Sequence, residues 1–111
     1  MPLQIQSDGQ TVTAYLAGEI DHHEAVSMRQ AIDAQLMGGD VKLLVMDFTD
    51  VTFMDSSGIG LVMGRYRQIR YNEGELHIVN PSPHIYKVMR IAGLERLAVI
   101  HKTTPARREL P

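Results

Sequence analysis

The eight residues 41–48, VKLLVMDF, constrain the fold of this chain more than any other stretch. They form a short, nearly continuous apolar run rich in branched side chains. Such a run reads as a strand covered on both faces, and it belongs in the middle of a sheet. Helical signals flank it. Upstream, Ala25, Met28, Ile32 and Leu36 recur at helical spacing, with Asp21 as N-cap, Glu24 three residues on as in a capping box, and Gly38-Gly39 as the stop. Downstream, Ile59, Val62, Tyr66 and Ile69 share a helix face that ends near Asn72-Glu73-Gly74, with Arg65, Arg67 and Arg70 expected off that face.

The remaining segments complete the pattern. Leu3 and Ile5, then residues 11–17 after Asp8-Gly9-Gln10, read as an opening hairpin. Residues 49–55 read as a loop and 75–79 as a strand. A further helix opens with Ser82 as N-cap and Pro83 in its first turn, places Ile85, Val88 and Met89 on one side and stops at Gly93. Residues 96–100 supply a last strand, followed by a polar, poorly defined tail over 101–111. The expected order is ββαβαβαβ: an α/β fold in one domain spanning 1–111, with helices packed on a mixed, largely parallel sheet. At 111 residues there is room for one core and no second domain.

Charge and cysteine content narrow the function. Eleven Lys and Arg stand against 13 Asp and Glu, so a net charge of −2 gives no global attraction to nucleic acid or to an anionic membrane. The charge is nevertheless polarised, −7 over residues 1–60 and +5 over 61–111. No cysteine is present, so there is no disulfide framework, thiolate nucleophile or sulfur-ligated zinc, and a reduced cytoplasm suits the chain. The opening residues lack a basic start and an apolar stretch, which reads as soluble and unsecreted.

Chemistry concentrates at Asp55-Ser56-Ser57-Gly58-Ile59-Gly60, where an acid and two hydroxyls stand at the mouth of a helix that also contains Gly64. Each helical glycine costs about 1 kcal/mol relative to Ala, so close approach by a packed strand or an outside partner is expected here. Asp55 or Ser56 is also a natural helix cap. A small nucleotide-binding module using Gly58, Gly60 and Gly64 is the alternative, although the spacing is not GxGxxG and no Gly-Lys-Ser/Thr follows. A serine hydrolase would need Ser56 or Ser57 beside one of His22, His23, His77, His84 or His101, and the Gly-x-Ser-x-Gly elbow is missing. His22-His23-Glu24 lacks a third ligand at recognisable spacing and reads as a solvated helical turn, so neither a metal nor a cofactor is expected.

Gly18-Glu19-Ile20-Asp21-His22-His23, then Phe53-Met54-Asp55-Ser56-Ser57-Gly58-Ile59-Gly60 and Gly64-Arg65-Tyr66, resemble the STAS-domain anti-sigma factor antagonists, most closely the sporulation type. The similarity runs over almost the whole chain. It implies a non-enzymatic partner switch in which the unphosphorylated protein binds an anti-sigma factor with serine kinase activity and frees the sigma factor. The kinase then phosphorylates the first serine of the motif, here Ser56, and a PP2C-type phosphatase resets the protein. The resemblance places Glu19, Asp21, Asp55, Ser57, Gly58 and Gly60 on the partner-binding surface. The family often carries a longer C-terminal helix where this sequence has residues 105–111.

Overall fold

A computed structural model describes residues 2–38 and 40–102. The sheet order follows the chain order: β1 (Leu3–Asp8), β2 (Thr11–Ile20), β3 (Leu43–Met54), β4 (Glu75–Val79) and β5 (Val99–His101). β1 and β2 form the antiparallel hairpin, and every later pairing is parallel. The helices α1 (His22–Leu36), α2 (Ser56–Tyr71) and α3 (Pro83–Ile91) make the crossovers, so the expected α/β order holds through residue 102. The tail beyond that point lies outside the described residues.

Each crossover steps to the next strand in the same direction, and right-handed connections therefore bring all three helices to one face of the sheet. Burial follows. Val12, Ala14 and Leu16 of β2, Leu44, Met46 and Phe48 of β3, and Leu76 and Ile78 of β4 alternate inward and meet Met28, Ile32, Leu61, Val62, Ile69, Ile85 and Met89 from the helices. Burying each of these side chains larger than alanine contributes roughly 1.5–3 kcal/mol, which is what holds the helices to the sheet. β3 is central, as its composition predicts, but its second face is only partly covered: of the residues that point there, Leu43 and Val45 remain half-buried while Asp47 is buried.

The structure corrects three further expectations. Residues 49–54 continue β3 instead of forming a loop, because β2 also extends, to Ile20, and pairs with them across two irregularities between Tyr15 and Ala17 and between Gly18 and Glu19. Arg65 is not off the packed face of α2: it is 5% exposed, since α2 lies against α1 as well as the sheet, and its Nε sits 2.9 Å from Asp33 Oδ1 of α1. Arg67 and Arg70 are exposed as expected. Finally, residues 94–96 form a single 3₁₀ turn, and the last strand starts at Val99.

Candidate partner-binding and modification site

β2 and β3 run parallel and end side by side, Glu19 opposite Phe53 and Ile20 opposite Met54. The Asp55 N–H donates to the Ile20 carbonyl at 3.3 Å, which ties the two strand ends together. Each strand passes into its helix through a single capping residue. Asp21 Oδ1 accepts the Glu24 N–H at 2.9 Å at the start of α1, and Asp55 Oδ1 accepts the Ser57 N–H at 2.8 Å at the start of α2. Two helix N-termini, each capped by an aspartate, thus lie next to each other along the C-terminal edge of the sheet, where the parallel strands end.

Gly18 explains how the first motif reaches this edge. Its φ of +80° falls between the two irregularities of β2, a left-handed conformation that costs a residue with a Cβ about 1–2 kcal/mol. Glu19 follows it, exposed, one residue before the buried Ile20. On the α2 side Ser56 is the first helical residue and exposed, Ser57 is half-buried and Gly58 is buried. A Cβ at Gly58 would overlap the Met54 side chain, so this glycine answers to packing within the chain. Gly60 and Gly64 are different: the space beyond each is open for 4 Å.

The structure therefore brings Glu19, Asp21, Asp55, Ser56 and Ser57 to one edge, with Gly58 beneath them and Gly60 one turn along α2. Asp55, not Ser56, is the cap, which leaves the Ser56 side chain out of the capping hydrogen bond. Phe53 opens the quoted motif but was not expected on the partner-binding surface; it is 47% exposed beside Glu19. Burial of Arg65 beneath the α1–α2 contact was also missed.

Neither serine has the surroundings of a nucleophile. Among the described residues no His is hydrogen-bonded to Ser56 or Ser57, and His77 instead meets His101 at 3.1 Å at the far edge of the sheet. Gly58, Gly60 and Gly64 all lie inside α2, so no glycine-rich phosphate loop precedes the helix. His22 and His23 are exposed in the first turn of α1. Among the described residues no cluster of three or more His, Asp or Glu could hold a metal ion, and no helix is long and apolar enough to cross a membrane.

An α/β domain with a one-residue, aspartate-capped passage from β3 into a Ser-Ser-Gly helix start has the design of a STAS domain. The STAS family model matches residues 2–107, and the chain belongs to that family. It is 40% identical to the anti-sigma F factor antagonist of Lysinibacillus sphaericus over 85 residues, covering 77% of this chain and 73% of that protein. To the anti-sigma F factor antagonist of Paenibacillus polymyxa it is 29% identical over 103 residues, covering 91% and 88%. The solved structure of the anti-sigma factor antagonist SpoIIAA in its unphosphorylated form superposes with a TM-score of 0.76 at 32% identity, over 96% of this chain and 93% of that one. The phosphorylated form of SpoIIAA from Bacillus gives 0.75 at 33% identity, over 98% and 99%.

Proposed function

We propose that this protein is a cytoplasmic, non-enzymatic anti-sigma factor antagonist controlled by phosphorylation of Ser56. Its unphosphorylated form binds an anti-sigma factor that is also a serine kinase and so releases the sigma factor; a PP2C-type phosphatase restores it. The observation that carries this reading is the position of Ser56: an exposed hydroxyl in the first turn of α2, left out of the capping hydrogen bond, at an edge shared with Glu19, Asp21 and Asp55.

The physics of that position gives the switch its sign. A phosphoserine carries about −1.5 to −2 charges, and an anion at a helix N-terminus is favourable by roughly 0.3–2 kcal/mol, so the fold accepts the modification. A partner pressed onto the same edge would bury that charge beside three carboxylates, at a cost of several kcal/mol without new cations. About 2.8 kcal/mol already changes affinity a hundredfold, so one phosphate dismisses the partner without refolding. The kinase contributes ATP, metal and base, and this chain contributes the hydroxyl. Asp21, Asp55, Glu19, Ser57 and the open turn at Gly60 form the docking surface.

The test is to incubate the protein with its cognate anti-sigma kinase and ATP and to map the phosphate by mass spectrometry. Label on Ser56, lost in Ser56→Ala, is the expected result; label on Ser57, or undiminished labelling of Ser56→Ala, overturns the assignment.

A further inference from the structure

Between α1 and α2 runs a groove of about 420 Å³ that starts at Ser57 and continues past Gly60 and Gly64 to Arg29, Arg65 and Arg67. Three arginines are among the residues that line it. Arg65 is paired with Asp33, but the 2.9 Å approach of its Nε to Asp33 Oδ1 is not aligned as a hydrogen bond, and its buried Nη1 has no hydrogen-bond partner among the described residues. Both nitrogens are closed to solvent, so Arg65 adds its charge beneath the groove while the cations that an incoming group can touch belong to Arg29 and Arg67. Arg29 and Arg67 are exposed, and among the described residues neither has an acidic partner.

The floor of the groove is built from missing side chains. A Cβ at Gly60 or at Gly64 would meet nothing within 4 Å, so the chain's own packing asks for neither glycine, yet each weakens α2 by about 1 kcal/mol relative to Ala. What they accomplish is to keep open a channel beside three cations. The ligand that fits is an oxyanion with room behind it for the group that carries it.

We infer that this groove is an oxyanion cleft that receives a carboxylate from an acidic segment of the anti-sigma partner. The inference rests on the proposed antagonist function. A protein side chain is favoured over a free anion because the groove opens at Ser57, next to Ser56, so a partner that covers Ser56 also stands over the groove's mouth. The two halves of the surface have opposite charge: carboxylates of Glu19, Asp21 and Asp55 at the helix mouths, arginines along the groove. A partner that presents cations to the first and one carboxylate to the second is held in a single orientation, and its reverse is disfavoured by like charges.

Calorimetric titration of the cognate anti-sigma factor tests this with Arg29→Gln, Arg67→Gln, their double variant and Gly64→Leu, each also melted alone. Arg65 is left in place because its removal would disturb the α1–α2 contact. The expected result is a loss of affinity of several-fold for each arginine variant and on the order of tenfold or more for the pair, with a shallower salt dependence and melting midpoints that hold or, where Arg29 is replaced, rise slightly as its repulsion of Arg65 is relieved. Gly64→Leu should fill the groove and weaken binding while the melting midpoint holds or rises. If the arginine variants bind like wild type while Ser56→Asp still loses the partner, the cleft assignment is wrong and the antagonist reading stands; if wild type does not bind the anti-sigma factor, that reading fails first. In a parallel arm the protein alone is titrated with inorganic phosphate. Saturable binding that is lost in Arg67→Gln, together with unaltered partner affinity, would make the groove a small-anion site and overturn the partner assignment.

Discussion

Asp21 and Asp55 each cap a helix, and the proposed function gives each a second role in partner binding that substitutions can separate from the first. Asparagine caps a helix nearly as well as aspartate, so Asp21→Asn should change the melting midpoint little, while a contact role at the helix mouth predicts weaker binding of the anti-sigma factor. Affinity equal to wild type would leave Asp21 as a cap and nothing more. Asp55→Ala removes the acceptor of the Ser57 N–H and should cost about 1 kcal/mol in denaturant unfolding, independent of any partner. At the opposite end of the sheet the constraint is steric. A Cβ on Gly74 would lie 2.6 Å from the Lys42 carbonyl oxygen and 2.9 Å from Ile69, and backbone cannot step aside as a side chain can. Gly74→Ala should therefore destabilise by roughly 1–3 kcal/mol, and Gly58→Ala, whose Cβ would overlap the buried Met54 side chain near its root, should be destabilising as well.

Helix against helix, the decisive pair is Arg65 with Asp33. Burial lowers the pKa of the Arg65 guanidinium from its ordinary value, Asp33 raises it again, and Arg29 pushes it down further. Deleting the carboxylate leaves the buried cation beside Arg29 with nothing against it. Asp33→Ala should thus cost roughly 1–3 kcal/mol, below the ~3–5 kcal/mol of a fully buried pair because a third of the Asp33 side chain is exposed. Arg65→Met keeps the packing stem and removes the charge, so Asp33→Ala in that background should cost little. A double-mutant cycle by chemical denaturation measures the difference, and strict additivity would show that α1 and α2 are held by apolar contacts alone.

For the molecule as a whole the prediction is that fold and binding respond to charge at Ser56 with opposite sign. Affinity for the anti-sigma factor should fall from wild type to Ser56→Asp to phospho-Ser56, since the phosphate carries nearly twice the charge of a carboxylate. Melting midpoints of the same three forms should barely move or should rise slightly, because α2 presents its positive dipole end to the added anion. A large drop in the midpoint of the phosphorylated form would mean that switching acts by unfolding the edge of the sheet, and the electrostatic account would be abandoned.

What this sequence determined by itself is what depends on neighbours along the chain. Caps at Asp21 and Ser82, the periodic core positions Ala25, Met28, Ile32 and Leu36, the hairpin at Gly9 and the Ser56 helix mouth are set by one or two turns of local chemistry, and all are in the structure as read. Residues 49–54 looked like loop because alternation is broken there; they are strand because β2 offers a bulged edge to pair with, which no local signal announces. Arg65 looked like a surface cation for the same reason, its counter-charge lying 32 positions away on another helix. The one-sided sheet and the cationic groove likewise arise only when α1 and α2 come to lie on the same face, because burial and electrostatic pairing are decided by separation in space, and separation along the chain does not encode it.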